Sequence, residues 1–115
     1  MFIKKIKDVL QGKAPAGSKR SSKWPGVRKN HLKLNPQCAA CGDTAKLEVH
    51  HIKPFHEHPE LELEPSNLIT LCESKSYGII CHLLIGHNGS YTKINPNVIE
   101  DSKHWLQKLN PAKTK

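Results

Sequence analysis

The chain lacks any long apolar run. None approaches the ~20 consecutive apolar residues that a membrane-spanning helix needs, so we expect no membrane span. The first residues, Met1 to Lys7, lack the uninterrupted apolar stretch and small-residue cleavage site of a signal peptide, which favours a cytosolic protein. Only 37% of the 115 residues are hydrophobic, and one domain of this length has a modest core. Such a chain is expected to depend on a bound metal for stability.

Acidic residues are almost missing from the first third of the chain. Residues 1–35 contain ten Lys or Arg against one acid, Asp8, and carry +9, whereas the other residues carry −1, which gives the net +8. A polyanionic partner is expected to meet this end with salt-dependent affinity, and a solvated basic tail is the alternative. The candidates for phosphate contacts are Arg20, Lys23, Arg28 and Lys29. Arg28 is preferred because a guanidinium fork suits phosphate.

The N-terminal 22 residues differ in pattern from the rest. Apolar residues recur at helical spacing in residues 2–11, which predicts a short amphipathic helix. Residues 12–22 are small, polar and basic without periodicity, as in a flexible linker. We therefore divide the chain into a basic N-terminal helix and linker, residues 1–22, and a domain, residues 23–115.

Two helices are expected within the domain. The first starts near Ser22 and stops at Asn35, because the residue before Pro36 avoids the helical region. The second is predicted near the C-terminus, with Asn95 as its cap and Pro96 in its first position.

The four cysteines include one Cys-x-x-Cys pair. Cys38 and Cys41 can both reach a zinc ion at about 2.3 Å, and Gly42 relieves the tight turn. Cys72 and Cys81 can complete a four-thiolate site, although the eight residues between them exceed the usual two to four. No thioredoxin-like pattern surrounds the pair, so a structural zinc site is predicted rather than a redox motif.

Adjacent histidines stand at the end of a predicted strand. Residues 47–52 alternate and are rich in Val and Ile, which indicates a strand, and residues 67–72 form a second one. Neighbouring side chains on a strand point to opposite faces, so His50 and His51 cannot both ligate one ion unless the strand ends or bends there. The pattern therefore suggests different roles for the two. A helix is expected to begin or lie within residues 81–87.

Together these segments resemble the HNH endonucleases, particularly the small zinc-containing phage and bacterial members. The resemblance covers roughly residues 24–100 and rests on the order Cys-x-x-Cys, His-His, Asn-Leu-Ile-Thr-Leu-Cys, Cys-His and a last His. It implies an α+β fold with a treble-clef-like ββα-metal core, structural zinc and flanking helices, in a protein of a bacterium or a phage-infected cell. The chain departs from the pattern at residues 73–80, where relatives commonly have two residues between the cysteines.

The resemblance also implies an activity and its residues. The reaction is metal-dependent hydrolysis of DNA that leaves 5′-phosphate and 3′-hydroxyl ends, with Mg²⁺, Mn²⁺, Ni²⁺ or Zn²⁺ as the catalytic ion. His51 corresponds to the general base, and Asn67 to the asparagine that holds the loop and orients the base. His50 and His82 correspond to ligands of the catalytic ion. His87 lies near an extra ligand of some relatives.

Two other functions stay open. One is a non-catalytic zinc-stabilised module that binds nucleic acid through its basic first third. The other is a toxin-like RNase, since the same core can attack RNA. No base-reading element is apparent in the sequence, so low sequence specificity is expected unless a partner protein supplies it.

Overall fold

The computed structural model of the protein describes residues 20–75 and 77–109. Its regular elements are helix α1 (Trp24–Leu34), strands β1 (Leu47–His51) and β2 (Leu68–Cys72), a π-helical turn (His82–Gly86) and helix α2 (Val98–Leu109). Two 3-10 turns, Pro59–Leu61 and Pro65–Asn67, lie between the strands. The predicted α+β class is confirmed. The helix predicted at residues 2–11 lies outside the described residues.

The two strands form one antiparallel pair whose register runs from Leu47 opposite Cys72 to His51 opposite Leu68. Each strand is one residue shorter than predicted: β1 ends at His51, and β2 starts at Leu68 because Asn67 belongs to the 3-10 turn that precedes it. The backbone of Asn67 nevertheless accepts a hydrogen bond from the N–H of Ile52 at 2.8 Å. The end of the ladder is thereby held beside the two histidines.

Helix α1 follows its sequence signals closely. Pro25 lies in its first turn, where a missing N–H costs nothing. The helix ends at Leu34, and Asn35 closes it by donating from its backbone and side-chain nitrogens to the carbonyl of His31 at 2.8 and 3.1 Å. The stop expected before Pro36 is found.

Helix α2 begins at Val98, so the predicted start at Pro96 is wrong by two residues. Asn95 does use its Oδ1 to accept the N–H of Asn97 at 2.9 Å. Its Nδ2, however, donates to the carbonyl of Ile85 and to the carboxylate of Asp101, both at 2.8 Å. Asn95 therefore joins the helix start to the π-helical turn, and residues 96 and 97 form a turn instead of helix.

The core is small and is built around the cysteines. Its buried residues are Cys38, Ala40, Cys41, Leu71, Cys72, Cys81, Ile85 and Val98, and Trp105 and Leu109 of α2 pack against them. Half of this cluster consists of thiols, so little apolar area is left to stabilise the fold by itself. Among the described residues no helix is long and apolar enough to cross a membrane.

Candidate metal centres and active site

The four predicted zinc ligands come together in the core. Their sulfur atoms all lie within 4.8 Å of one another, and all four residues are buried. The Sγ atoms of Cys41 and Cys72 are 3.5 Å apart, close to the ~3.8 Å edge of a tetrahedron with zinc–sulfur bonds of about 2.3 Å. The donor set and its spacing fit a four-thiolate zinc ion.

Local backbone geometry explains how two distant cysteine pairs meet. Gly42 has a φ of 82°, which the turn after Cys41 requires, and its N–H donates to the carbonyl of Cys38 at 2.8 Å. Cys72 ends β2 and donates its backbone N–H to the sulfur of Cys38 at 3.4 Å. Cys81 caps the π-helical turn. The long spacing of Cys72 and Cys81 in the sequence therefore does not prevent the cluster.

The electrostatics of the cluster favour a cation. A hydrogen bond from Cys81 lowers the pKa of Cys38 to about 5. Burial raises the pKa of Cys41 to about 12, and the same hydrogen bond raises the pKa of Cys81 above its usual value. Without a cation the cluster thus favours a thiolate at Cys38 and protonated thiols at Cys41 and Cys81. Four thiolates at this distance require a positive charge between them.

Three histidines form a second cluster. The Nε2 atom of His82 lies 3.2 Å from Nδ1 of His50 and 3.2 Å from Nε2 of His87, and the three donor atoms lie within 4.8 Å of one another. A tetrahedral ion with metal–nitrogen bonds of about 2.0–2.1 Å has edges of about 3.3 Å. The structure therefore places His87 beside the other two, and the three nitrogens fit one ion.

The π-helical turn is what brings His87 to His82. In an α-helix, residues five apart are rotated by about 140° from each other, so their side chains diverge. A π-helix bonds residue i to residue i+5 and widens the turn, which puts both rings on one side. Gly86 permits the close packing, because a Cβ there would lie 3.0 Å from Leu71 and 3.3 Å from the ring of His50.

Hydrogen bonds fix the tautomers of two of these histidines. Nδ1 of His82 lies 3.0 Å from the carboxylate of Glu73, and Nδ1 of His87 lies 2.9 Å from the carbonyl of Lys93. Both oxygens are acceptors, so each Nδ1 donates, and in the neutral form of each ring Nε2 carries the lone pair. Two such lone pairs 3.2 Å apart repel each other unless a proton or a metal ion lies between them.

The third member is also suited to bind a cation. His50 is buried, and burial together with the positive charge that His82 and His87 can carry lowers the pKa of His50 to about 3. The ring is therefore neutral at physiological pH, which is the form that ligates metals.

His51 faces away from this cluster, as the alternation of β1 predicts. Its ring packs on Trp24 with a centroid distance of 4.5 Å, and its Nε2 donates to the carbonyl of Glu62 at 2.9 Å. Nδ1 is thus the acceptor atom, and Nη1 of Arg20 lies 3.4 Å from it. Burial lowers the pKa of His51, which keeps this nitrogen unprotonated at neutral pH.

Because β1 ends at His51, the side chains from the two faces of the strand reach one common cleft. This cleft has a volume of about 290 Å³ and is lined by His51 and by the cluster of three histidines. Its lining residues include Arg20, Phe55, His50, His51, His82 and His87. A proton acceptor and a candidate metal site therefore share one solvent-facing space.

Asn67 closes the loop that carries the partner of His51. Its Oδ1 accepts the N–H of Lys53 at 2.8 Å, and its Nδ2 donates to the carbonyls of Lys53 and Leu61 at 3.0 and 3.2 Å. The residue after Leu61 is Glu62, whose carbonyl holds His51. The side chain of Asn67 therefore holds the residue next to Glu62, the residue whose carbonyl orients His51.

The four candidates for phosphate contacts are spread over different environments. Arg20 lies at the cleft, with its guanidinium 4.7 Å from the ring centroid of Phe55 and 5.5 Å from that of Trp24. Arg28, the preferred candidate, forms an exposed ion pair with Glu48 at 3.3 Å. Lys23 and Lys29 are exposed. Of the four, Arg20 is the one that lines the cleft.

Sequence reasoning missed three polar residues of the site. Glu62 is only 6% exposed, and its carboxylate accepts the N–H of Ser21 at 3.0 and 3.2 Å, which ties the chain before α1 to the loop below His51. Glu73 and Tyr91 stand beside His82. Glu62 is one of several glutamates in its segment, so only the fold distinguishes it.

Comparison with known protein families supports the resemblance. Residues 38–85 match the family model described as HNH endonuclease, so the resemblance drawn from the sequence is confirmed. The two-stranded sheet, the helices and the clustered cysteines are consistent with the ββα-metal fold of that family. Comparisons with curated proteins and with solved structures gave no match. The fold and the family match together indicate a nuclease or nucleic-acid-binding domain with metal sites.

Proposed function

We propose that this protein is a metal-dependent endonuclease that hydrolyses phosphodiester bonds in DNA. The observation that carries the proposal is the pair of facing Nε2 atoms of His82 and His87, 3.2 Å apart, each with its proton fixed on the other ring nitrogen. They open on the same cleft as the neutral base candidate His51. The net charge of +8 supports a polyanionic substrate.

The chain supplies the base from His51. Its Nδ1 accepts a proton from water, and its Nε2–H, held by the carbonyl of Glu62, fixes the direction in which Nδ1 points. Asn67 acts through this contact as a positioning residue, because it closes the loop that presents the carbonyl. Arg20 pairs with the scissile phosphate when DNA fills the cleft, which withdraws its N–H from Nδ1.

His50, His82 and His87 would hold the catalytic ion. A divalent ion at this position, whether Mg²⁺, Mn²⁺, Ni²⁺ or Zn²⁺, would supply stabilisation for negative charge on the phosphate and on the departing 3′ oxygen. Three imidazoles without a carboxylate favour Ni²⁺ or Zn²⁺ over Mn²⁺ and Mg²⁺. The zinc held by Cys38, Cys41, Cys72 and Cys81 has only a structural role, since its four ligands leave no open position.

The proposal is tested by nicking of supercoiled plasmid with each of the four metals. His51→Ala should keep metal binding and lose roughly 10²–10⁴-fold in rate, the usual contribution of a general base. His50→Ala should fail differently, because it loses the ion itself. His104→Ala, at an exposed position on α2, is the matched control and should nick as wild type does.

The alternatives are outcomes of the same experiment. If wild type and His51→Ala give the same trace activity while both still bind DNA, the enzyme proposal fails and a non-catalytic nucleic-acid-binding module replaces it. Faster cleavage of single-stranded RNA than of duplex DNA would show that the substrate is RNA and not DNA.

A further inference from the structure

The segment between Cys72 and Cys81 begins with a residue that contacts the histidine cluster. Glu73 follows β2 directly, and its backbone N–H donates to the carbonyl of Lys46 at 2.9 Å, which extends the strand pairing by one step. Its carboxylate Oε1 accepts the Nδ1–H of His82 at 3.0 Å. The backbone of Glu73 is thus anchored in the sheet while its side chain reaches the back of a metal-ligating ring.

A tyrosine holds the same carboxylate from another side. The hydroxyl of Tyr91 donates to Oε1 of Glu73 at 3.0 Å. Its ring packs against the rings of His82 and His87, with centroid distances of 5.6 and 5.2 Å. Tyr91 therefore contacts both the carboxylate and the two histidines that this carboxylate adjoins.

We propose that Glu73 is a positioning residue for the catalytic ion and that Tyr91 holds its carboxylate in place. This inference rests on the proposed function, because it requires an ion at the three histidines. The carboxylate keeps the proton of His82 on Nδ1, stops rotation of the ring and makes Nε2 a stronger donor to the ion. The segment that lengthens the spacing of the zinc cysteines thereby serves the other metal site.

The contacts also set the size of the effect. Loss of such a partner typically costs 10–100-fold in metal affinity. The Glu73 side chain is 38% exposed and that of His82 is 16% exposed, so water can replace part of the interaction. We therefore expect about a tenfold loss for Glu73→Ala, near the lower end of that range.

The test measures binding of a second ion without measuring catalysis. Protein loaded with zinc at the cysteine site is titrated with Ni²⁺ by calorimetry and by the absorption of the bound ion. Glu73→Gln retains an acceptor oxygen and should restore most of the affinity that Glu73→Ala loses. Tyr91→Phe should weaken binding less than Glu73→Ala does. The matched control is Glu100→Ala, at an exposed carboxylate paired with Lys103 on α2, which should bind as wild type does.

Each other outcome has a defined meaning. Wild type that binds neither Ni²⁺ nor a second Zn²⁺, and nicks DNA with none of the four metals, overturns this proposal and the function proposed above. Unchanged affinity in Glu73→Ala overturns this proposal alone and leaves the endonuclease intact. A loss that Glu73→Gln does not reduce, together with a lower melting temperature of the Ni²⁺-free protein, also overturns it, because a merely structural residue would behave in that way.

Discussion

Replacing Asn67 by alanine should damage both stability and catalysis, by separate routes. Asn67 is 6% exposed and makes three side-chain hydrogen bonds to the backbone of Lys53 and Leu61. At about 0.5–1.5 kcal/mol for each net hydrogen bond, we expect Asn67→Ala to lower the free energy of unfolding by roughly 2–4 kcal/mol. The released loop also carries the carbonyl of Glu62 that holds His51, so the rate of nicking should fall as well.

The two effects are separated by combining the substitution with loss of the base. Urea unfolding measures the change in the free energy of unfolding. Plasmid nicking, under conditions where every variant is folded, measures the change in rate. If Asn67 acts on the rate only through His51, Asn67→Ala should cost little further activity in the His51→Ala background while its stability cost persists. Asn30→Ala, at an exposed asparagine on α1, is the control for removal of an amide.

Two results would refute this reasoning. An unfolding midpoint and a nicking rate for Asn67→Ala equal to those of Asn30→Ala would show that the three hydrogen bonds do not hold the loop. If the rate loss of the double variant equals the product of the losses of Asn67→Ala and His51→Ala alone, Asn67 affects the reaction independently of the base.

Further predictions concern the zinc site and the cleft. Cys38→Ser should lose zinc and cooperative unfolding, because a structural zinc contributes folding energy directly; an unchanged melting temperature and zinc content would contradict the four-thiolate site. Arg20→Ala should slow nicking and reduce the salt slope of DNA binding by about one. Lys33→Ala, at an exposed position that does not line the cleft, should leave the nicking rate near that of wild type, and equal behaviour of the two variants would refute a specific role for Arg20.

The elements that the sequence predicts well are those with local causes. The stop of α1 depends on Asn35 and Pro36, and the two strands depend on alternation, so both lie within a residue or two of the prediction. The cysteine cluster could be predicted because Cys-x-x-Cys has few other uses in this setting. The start of α2 was misplaced because Asn95 bonds to Ile85, a contact that no local pattern reveals.

The residues that support the site could not be predicted in the same way. His51 is oriented by the carbonyl of Glu62, and His87 by the carbonyl of Lys93. Backbone carbonyls are present at every residue, so the sequence carries no signal for the ones that matter. Glu73 has a side chain suited to its contact, but only the fold shows that it faces His82 and not solvent.

The spacing of His82 and His87 does not by itself predict that their rings meet, because spacing rules assume regular helices. A separation of five positions is unfavourable for two side chains that share a site on an α-helix and suitable on a π-helix, which is rare. Contacts from other parts of the fold stabilise this turn. Asn95 donates a hydrogen bond to the carbonyl of Ile85, and Gly86 lets the side chains of Leu71 and His50 approach the backbone. π-Helical turns are found mostly at functional sites, and this one brings Nε2 of His87 to within 3.2 Å of Nε2 of His82. The irregular turn and the paired Nε2 atoms are both what the ion proposed at the three histidines would need.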